Sequence, residues 1–257
     1  MLQLNEQNVS KGLRKVRRSG TGGGDRCDWV AVAVDEGIGS ILDIGCGYGW
    51  TIARLVGKVP DLVGIDLDEE ALASARGNYP GIRFVKQTGA SLPFESESFD
   101  AVIFSDVIEH VGDENKGLVV DEAWRVLKPG GQFIFTAPYA GLFAWADPMD
   151  IKRRFPGIYR LYMRWTSYTP HTEMEIGHKH VSMPEIQALF AGRFTMEEIH
   201  YSGFFMPLFA WILSIDDRLH VMPRRWHDQL ARFQGWESGV PYGPILSYNI
   251  RIVARKK

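Results

Sequence analysis

An apolar strand that runs directly into three closely spaced glycines constrains this chain more than any other feature. Ile41-Leu42-Asp43-Ile44 leads into Gly45-Cys46-Gly47-Tyr48-Gly49-Trp50, and an apolar helix follows through Ile52, Ala53, Leu55 and Val56. Glycines in such a turn let the backbone bend tightly and approach a ligand at the carboxyl end of a first parallel strand. The spacing is Gly-x-Gly-x-Gly, not the Gly-x-Gly-x-x-Gly of dinucleotide enzymes, which argues against a dehydrogenase. A second strand, Val63-Gly64-Ile65-Asp66, ends in an acid about 20 residues further on, where a carboxylate can accept two ribose hydroxyls. The alternative for Asp66 is a cap on the helix that starts near Asp68.

Around this motif, residues 25–137 alternate short apolar runs with helix-like stretches, the pattern of βαβ units and a parallel sheet. Strands are expected at Ser40–Ile44, Leu62–Ile65, Ile82–Val85, Ala101–Ser105 and Gln132–Thr136, with two more near Thr195–Tyr201 and Ser247–Ala254. Asp68-Glu69-Glu70 places acids in a first helical turn, and Leu127-Lys128-Pro129-Gly130-Gly131 ends a helix. Ser182-Met183-Pro184-Glu185 reads as a capping box opening a helix to about Ala191. The fold class is therefore α/β: a Rossmann-like, doubly wound, seven-stranded, mostly parallel sheet with helices on both faces. Residues 1–24 read as a mobile basic and Gly-rich tail, and 25–257 as one domain. Lid-like insertions fall at about 139–181 and 204–245.

Composition removes several classes. Among 257 residues the net charge is -2, which gives no global attraction to nucleic acid. Cys27 and Cys46 cannot build a disulfide framework, and no zinc-type spacing occurs. No run reaches the roughly 18 apolar residues of a membrane span. A cytoplasmic location is the expectation.

Five motifs in order carry a resemblance. They are Leu42-Asp43-Ile44-Gly45-Cys46-Gly47-Tyr48-Gly49; Gly64-Ile65-Asp66; Leu92-Pro93-Phe94 with Ser98-Phe99-Asp100; Val107-Ile108-Glu109-His110-Val111; and Leu127-Lys128-Pro129-Gly130-Gly131. In these the chain resembles the class I S-adenosylmethionine-dependent methyltransferases of the small-molecule type, including those of quinone biosynthesis. The resemblance implies S-adenosylmethionine as cofactor and S-adenosylhomocysteine as product. Asp43 and the turn of Gly45, Cys46, Gly47 and Gly49 would hold the methionine part, Asp66 the ribose, and Leu67 the adenine face. Thr88, with Gly89 and Ala90, stands where relatives often place an adenine-binding Asp. Ser105 and Asp106 would face the sulfonium and the acceptor.

For a hydroxyl acceptor a base is needed, and Asp106, His110 and His178 are the candidates. Asp106-Val107-Ile108-Glu109-His110 is similar to a run associated with metal in quinone O-methyltransferases, but relatives without metal carry Glu-His there too. No metal site is assigned. His171, His178 and His180 form a second cluster without a clear ligand set. Residues 152–168 interleave arginines with aromatics, and Phe204–Leu213 is an apolar decamer. Together they favour an apolar or amphipathic acceptor over a small polar metabolite and leave peripheral membrane contact open, and the expected acceptor is a small or lipid-like molecule. Methylation of oxygen is the favoured reading. The alternatives are an RNA or protein methyltransferase, or a binding module that keeps the fold without turnover.

Overall fold

The computed structural model describes residues 26–142, 144, 157, 161, 179–205, 208, 209, 212, 213, 215, 216, 222–237 and 240–257. The expected tail, most of the 139–181 insertion and much of 204–221 lie outside these residues.

The first strand, β1 (Ser40–Ile44), is buried at every position because parallel neighbours flank it on both sides. Those neighbours are β2 (Asp61–Asp66) and β4 (Phe99–Ser105). Beyond β2 lies β3 (Arg83–Lys86), a short edge strand, and beyond β4 lies β5 (Leu127–Pro138). The remaining strands are β6 (Phe194–Ser202) and β7 (Asn249–Lys256). The order is β3-β2-β1-β4-β5-β7-β6, and β7 runs antiparallel between β5 and β6. All seven expected strands are present, and the sheet is mostly parallel.

Side-chain alternation gives the sheet two apolar faces. On one, Ile41, Ile103 and Ile134 pack against α1 (Arg26–Ala33), α2 (Trp50–Ala53) and α3 (Glu69–Asn78). On the other, Leu42, Phe104 and Phe135 pack against α4 (Asp113–Val126) and α5 (Met183–Phe190). Phe133 stacks on Phe194 with ring centroids 4.5 Å apart, and Phe190 closes over both. A further helix, α6 (Arg224–Glu237), follows β6. Phe209, from the apolar decamer, is buried against Phe233 of α6, while Phe205 and Leu208 stay exposed. Among the described residues no helix is long and apolar enough to cross a membrane.

The capping box does not form as the sequence suggests. Ser182 stands at the helix start, but its hydroxyl makes no cap bond. Glu185 accepts instead from Lys116 Nζ at 2.7 Å, and Lys116 also meets Asp113 at 3.0 Å. A buried ammonium without partners costs more than an uncapped amide, so Glu185 serves the charge. This pair clamps α5 to α4. Replacing Glu185 with Ala is expected to cost about 1–3 kcal/mol in urea denaturation with the m-value unchanged; a loss below about 0.5 kcal/mol would contradict the clamp.

Candidate functional site

The carboxyl ends of β1, β2, β3 and β4 lie side by side, and the chain leaves each through a turn built for close approach. Gly45 has φ 72°, and a side chain there would overlap a Val107 methyl from the β4 turn. Gly45 N and Cys46 N both donate to Ile65 O, at 2.8 and 2.9 Å, which ties the turn to β2. Gly49 has φ 77° and lies under Phe84 and Tyr79. Gly47, with φ 50°, has nothing within 4 Å of where a Cβ would stand.

Asp66 braces this turn from the next strand. Its Oδ2 accepts from Gly47 N at 2.7 Å and its Oδ1 from Asp68 N at 2.9 Å. The helix cap itself is Asp68, whose Oδ1 accepts from Glu70 N and Ala71 N. A carboxylate has about four acceptor sites, so Asp66 keeps capacity for further hydroxyl donors. Leu67 is 65% exposed beside it, and Trp50, stacked on Tyr48 at 5.2 Å, is 61% exposed.

Asp43 is 2% exposed, and its Oδ2 meets no hydrogen-bond partner. Burial pushes its carboxyl up to about 8; the charge of Arg26 opposes that shift and the charge of Asp66 adds to it. Burial, reinforced by Asp43 and Asp66, also pushes the Cys46 thiol up, so it remains a protonated packing group against Gly64.

After β3, Thr88 Oγ1 accepts from Ala90 N at 3.3 Å and Gln87 Nε2 donates to Ser91 O at 2.7 Å. Gly89 approaches Ile44 and Val119 too closely for any side chain. The Leu92–Phe94 segment is held from α4. Arg125 donates to Leu92 O and Phe94 O, and Glu122 accepts from Leu92 N. Asp100, in contrast, lies at the opposite edge of the sheet, where it accepts from Gly39 N, Ser40 N and Lys128 Nζ.

At the end of β4, Ser105 Oγ lies 2.8 Å from Thr136 Oγ1, which donates to Asp106 Oδ1 at 2.7 Å. Asp106 has φ 53°, unusual for a residue with a side chain, and forms an ion pair with Arg26 of α1. His110 follows on the short turn Ile108–His110, its Nε2 3.8 Å from Glu109 Oε1. Beyond β5, Tyr139 packs edge-on to Tyr201 at 5.1 Å, and His180 Nδ1 lies 3.1 Å from Tyr139 O. Burial, then the neighbouring Tyr139, raises Tyr201 to about 12.

Residues 42–135 match the family of the methyltransferase domain. The chain is similar to a demethylmenaquinone methyltransferase of Clavibacter sepedonicus, 35% identical over 130 residues, covering 48% of this chain and 47% of the relative. It is also similar to a ubiquinone biosynthesis O-methyltransferase of Pseudomonas fluorescens, 31% identical over 128 residues, covering 46% and 54%. The chain thus spans about half the length of these curated relatives. Residues 42–135 thus form a region similar to the methyltransferase domain of S-adenosylmethionine-dependent enzymes. Among solved structures, a methyltransferase from Methanosarcina mazei superposes with a TM-score of 0.56 at 20% identity, covering 87% of this chain and 94% of that one, a likeness of fold.

In this chain the expected residues Asp43, Gly45, Cys46, Gly47, Gly49, Asp66, Leu67, Thr88, Gly89, Ala90, Ser105, Asp106 and His110 all sit at the carboxyl ends of β1–β4 or in the turns that follow. His171 and His178 lie outside the described residues, as do the residues of 152–168 other than Gly157 and Leu161. Among the described residues, no group of three His, Cys, Asp or Glu side chains could hold a metal ion. The donor set suits S-adenosylmethionine: the buried Asp43 carboxyl, one oxygen of which meets no hydrogen-bond partner, suits an ammonium, and Gly47 presents no side chain to an approaching ligand.

Arg26 and Thr136 are the polar residues that sequence reasoning missed. Arg26 lies 80 positions from its partner, and no local motif marks it.

Because Asp43 in the folded chain holds its proton far above the ordinary carboxylate value, its ionisation opposes folding. The associated stability is full below about pH 4 and is lost as pH rises toward about 8. The stability difference between Asp43→Asn and the parent, in ligand-free urea denaturation, is expected to shift in the variant's favour by about 1–3 kcal/mol from about pH 5 to about pH 8. Parallel pH curves would contradict the burial argument.

Proposed function

We propose that the chain transfers the methyl group of S-adenosylmethionine to a hydroxyl oxygen of a small or lipid-like acceptor. The observation that carries this reading is the buried Asp43 Oδ2 without a hydrogen-bond partner, on the strand that leads into the turn where Gly47 leaves space for a ligand. In this reading Asp43 receives the ammonium of the cofactor and Asp66 the ribose hydroxyls. Leu67 and the Thr88-Gly89-Ala90 turn border the adenine, with backbone amides serving where Thr88 spends its hydroxyl on Ala90. The bound cofactor supplies a methyl group already activated on a sulfonium.

The protein's own tasks are then to orient the acceptor, exclude water and take one proton. The Ser105–Asp106 turn borders the acceptor. His110 takes the hydroxyl proton, an imidazole being matched to neutral pH. Asp106 and His178 are the other candidates for that step. The rings of Tyr139 and Tyr201 give the β5–β6 side an apolar border. Two relatives act, by name, on quinone precursors, and a prenylated ring of that class fits an apolar site with one basic group. Contact with a membrane surface through the exposed Phe205 and Leu208 would suit delivery of such an acceptor.

The test uses S-adenosylmethionine with a radioactive methyl group, purified protein and a lysate of the source organism, with products divided into organic-extractable, small polar and macromolecular fractions. Label is expected in the organic fraction and is expected to fall at least about 10-fold with Asp66→Ala. Label in the polar or macromolecular fraction would overturn the lipid-like acceptor while keeping methyl transfer. No label in any fraction, with the cofactor bound, would favour a binding module.

A further inference from the structure

Helix α6 takes no part in the site described above, and its side chains are unevenly distributed. Helical spacing puts Trp226, Leu230, Phe233 and Glu237 on one stripe. This stripe anchors the helix. Phe233 packs edge-on to Phe209 at 5.3 Å, and Glu237 is fully buried, its Oε1 accepting from Phe205 N at 3.0 Å. The next stripe, Arg225, Gln229, Arg232 and Trp236, is left to solvent, with Trp236 54% exposed. Asp228, the other acid of α6, falls on the side away from the rings.

The apolar surface continues beyond the helix. Trp236 lies 5.3 Å from Phe233, and Phe209 lies 6.0 Å from the exposed Phe205. Leu208, next to Phe209, is 53% exposed. A run of exposed rings and an aliphatic side chain of this kind marks a binding surface. Its place is informative. Strand β6 runs in the same direction as β5, so the Phe204–Phe205 turn held by Glu237 follows the same carboxyl edge as Ser105 and Asp106.

We propose that α6 is a docking helix for an anionic lipid surface and brings the carboxyl edge of the sheet against the bilayer. Charge decides among partners. The exposed stripe carries two guanidinium groups and no acid, in a chain whose net charge is -2. Indole and phenyl rings seat at the headgroup boundary while arginines reach up to lipid phosphates, the arrangement of helices that lie in an interface. A second copy, meeting this face about a twofold axis, would set the same arginines against one another. A nucleic acid would use the arginines and rings but gives Leu208 little to bury against. The proposal rests on the lipid-like acceptor reading and names the surface that delivers such an acceptor.

The test is flotation of the purified full chain with two sets of extruded vesicles, phosphatidylcholine alone and phosphatidylcholine with about one third phosphatidylglycerol. The parent is expected to float with the anionic set and to partition at least about 10-fold less onto the neutral one. Arg225→Gln combined with Arg232→Gln is expected to lower anionic partition about 10-fold or more, and Trp236→Ser several-fold, with S-adenosylhomocysteine affinity unchanged. Arg225→Lys with Arg232→Lys is expected to retain most of the binding, because headgroup attraction needs only the charge.

No flotation, equal partition onto both sets, or arginine variants that float like the parent would overturn the docking helix. Self-association in sedimentation equilibrium that Trp236→Ser abolishes would give the face to a second copy instead. Tighter binding of a single-stranded oligonucleotide than of anionic vesicles would give it to nucleic acid. Should Trp236→Ser disturb the fold, the arginine pairs still decide, since both positions are exposed. The acceptor reading fails separately: flotation without label in the organic fraction removes that reading alone, and organic label without flotation removes the docking helix alone.

Discussion

No side chain fits between the end of β1 and Val107, and the rest of the site depends on that contact. With Gly45 in the left-handed region, β1 can turn sharply while the β4 turn closes down on it. The same turn places Gly45 N and Cys46 N on Ile65 O and Gly47 N on Asp66. Three strand ends are thereby held at one short spacing. A larger residue at Gly45 would have to push β4 away, and with it Ser105, Asp106 and His110.

Charge is distributed around this turn in an unbalanced way. Asp43, Asp66 and Asp106 all lie at the carboxyl edge, and Arg26 is the cation whose charge meets both Asp43 and Asp106. Packing alone would favour an apolar residue at position 43, next to last in a fully buried strand. A carboxyl kept there at the cost of desolvation suits a cationic ligand, which in the proposed function is the ammonium of S-adenosylmethionine.

Much of this was legible in the sequence because its signals are local. The strands announced themselves by apolar runs bounded by turns, and the glycine spacing separated the turn from a dinucleotide loop. Asp66 was recognisable by its place at a strand end. What stayed hidden depends on partners far apart in the chain. Arg26 finds Asp106 only after α1 packs on the sheet. Arg125 and Glu122 hold Leu92 and Phe94 across about 30 residues, which gives the Leu-Pro-Phe motif a structural role that its sequence does not disclose. The capping box failed for a similar reason: Lys116, remote in sequence and buried, claimed Glu185.

The most direct test of the β1 turn as the cofactor seat is calorimetric binding of S-adenosylhomocysteine to Gly45→Ala with and without Val107→Ala. The account predicts that Gly45→Ala alone weakens binding at least about 10-fold, through both steric overlap and positive φ. Adding Val107→Ala should restore part of the loss, because it removes the overlap but not the backbone strain. Undiminished binding by Gly45→Ala, in a protein as stable as the parent, would contradict the claim that this contact organises the site.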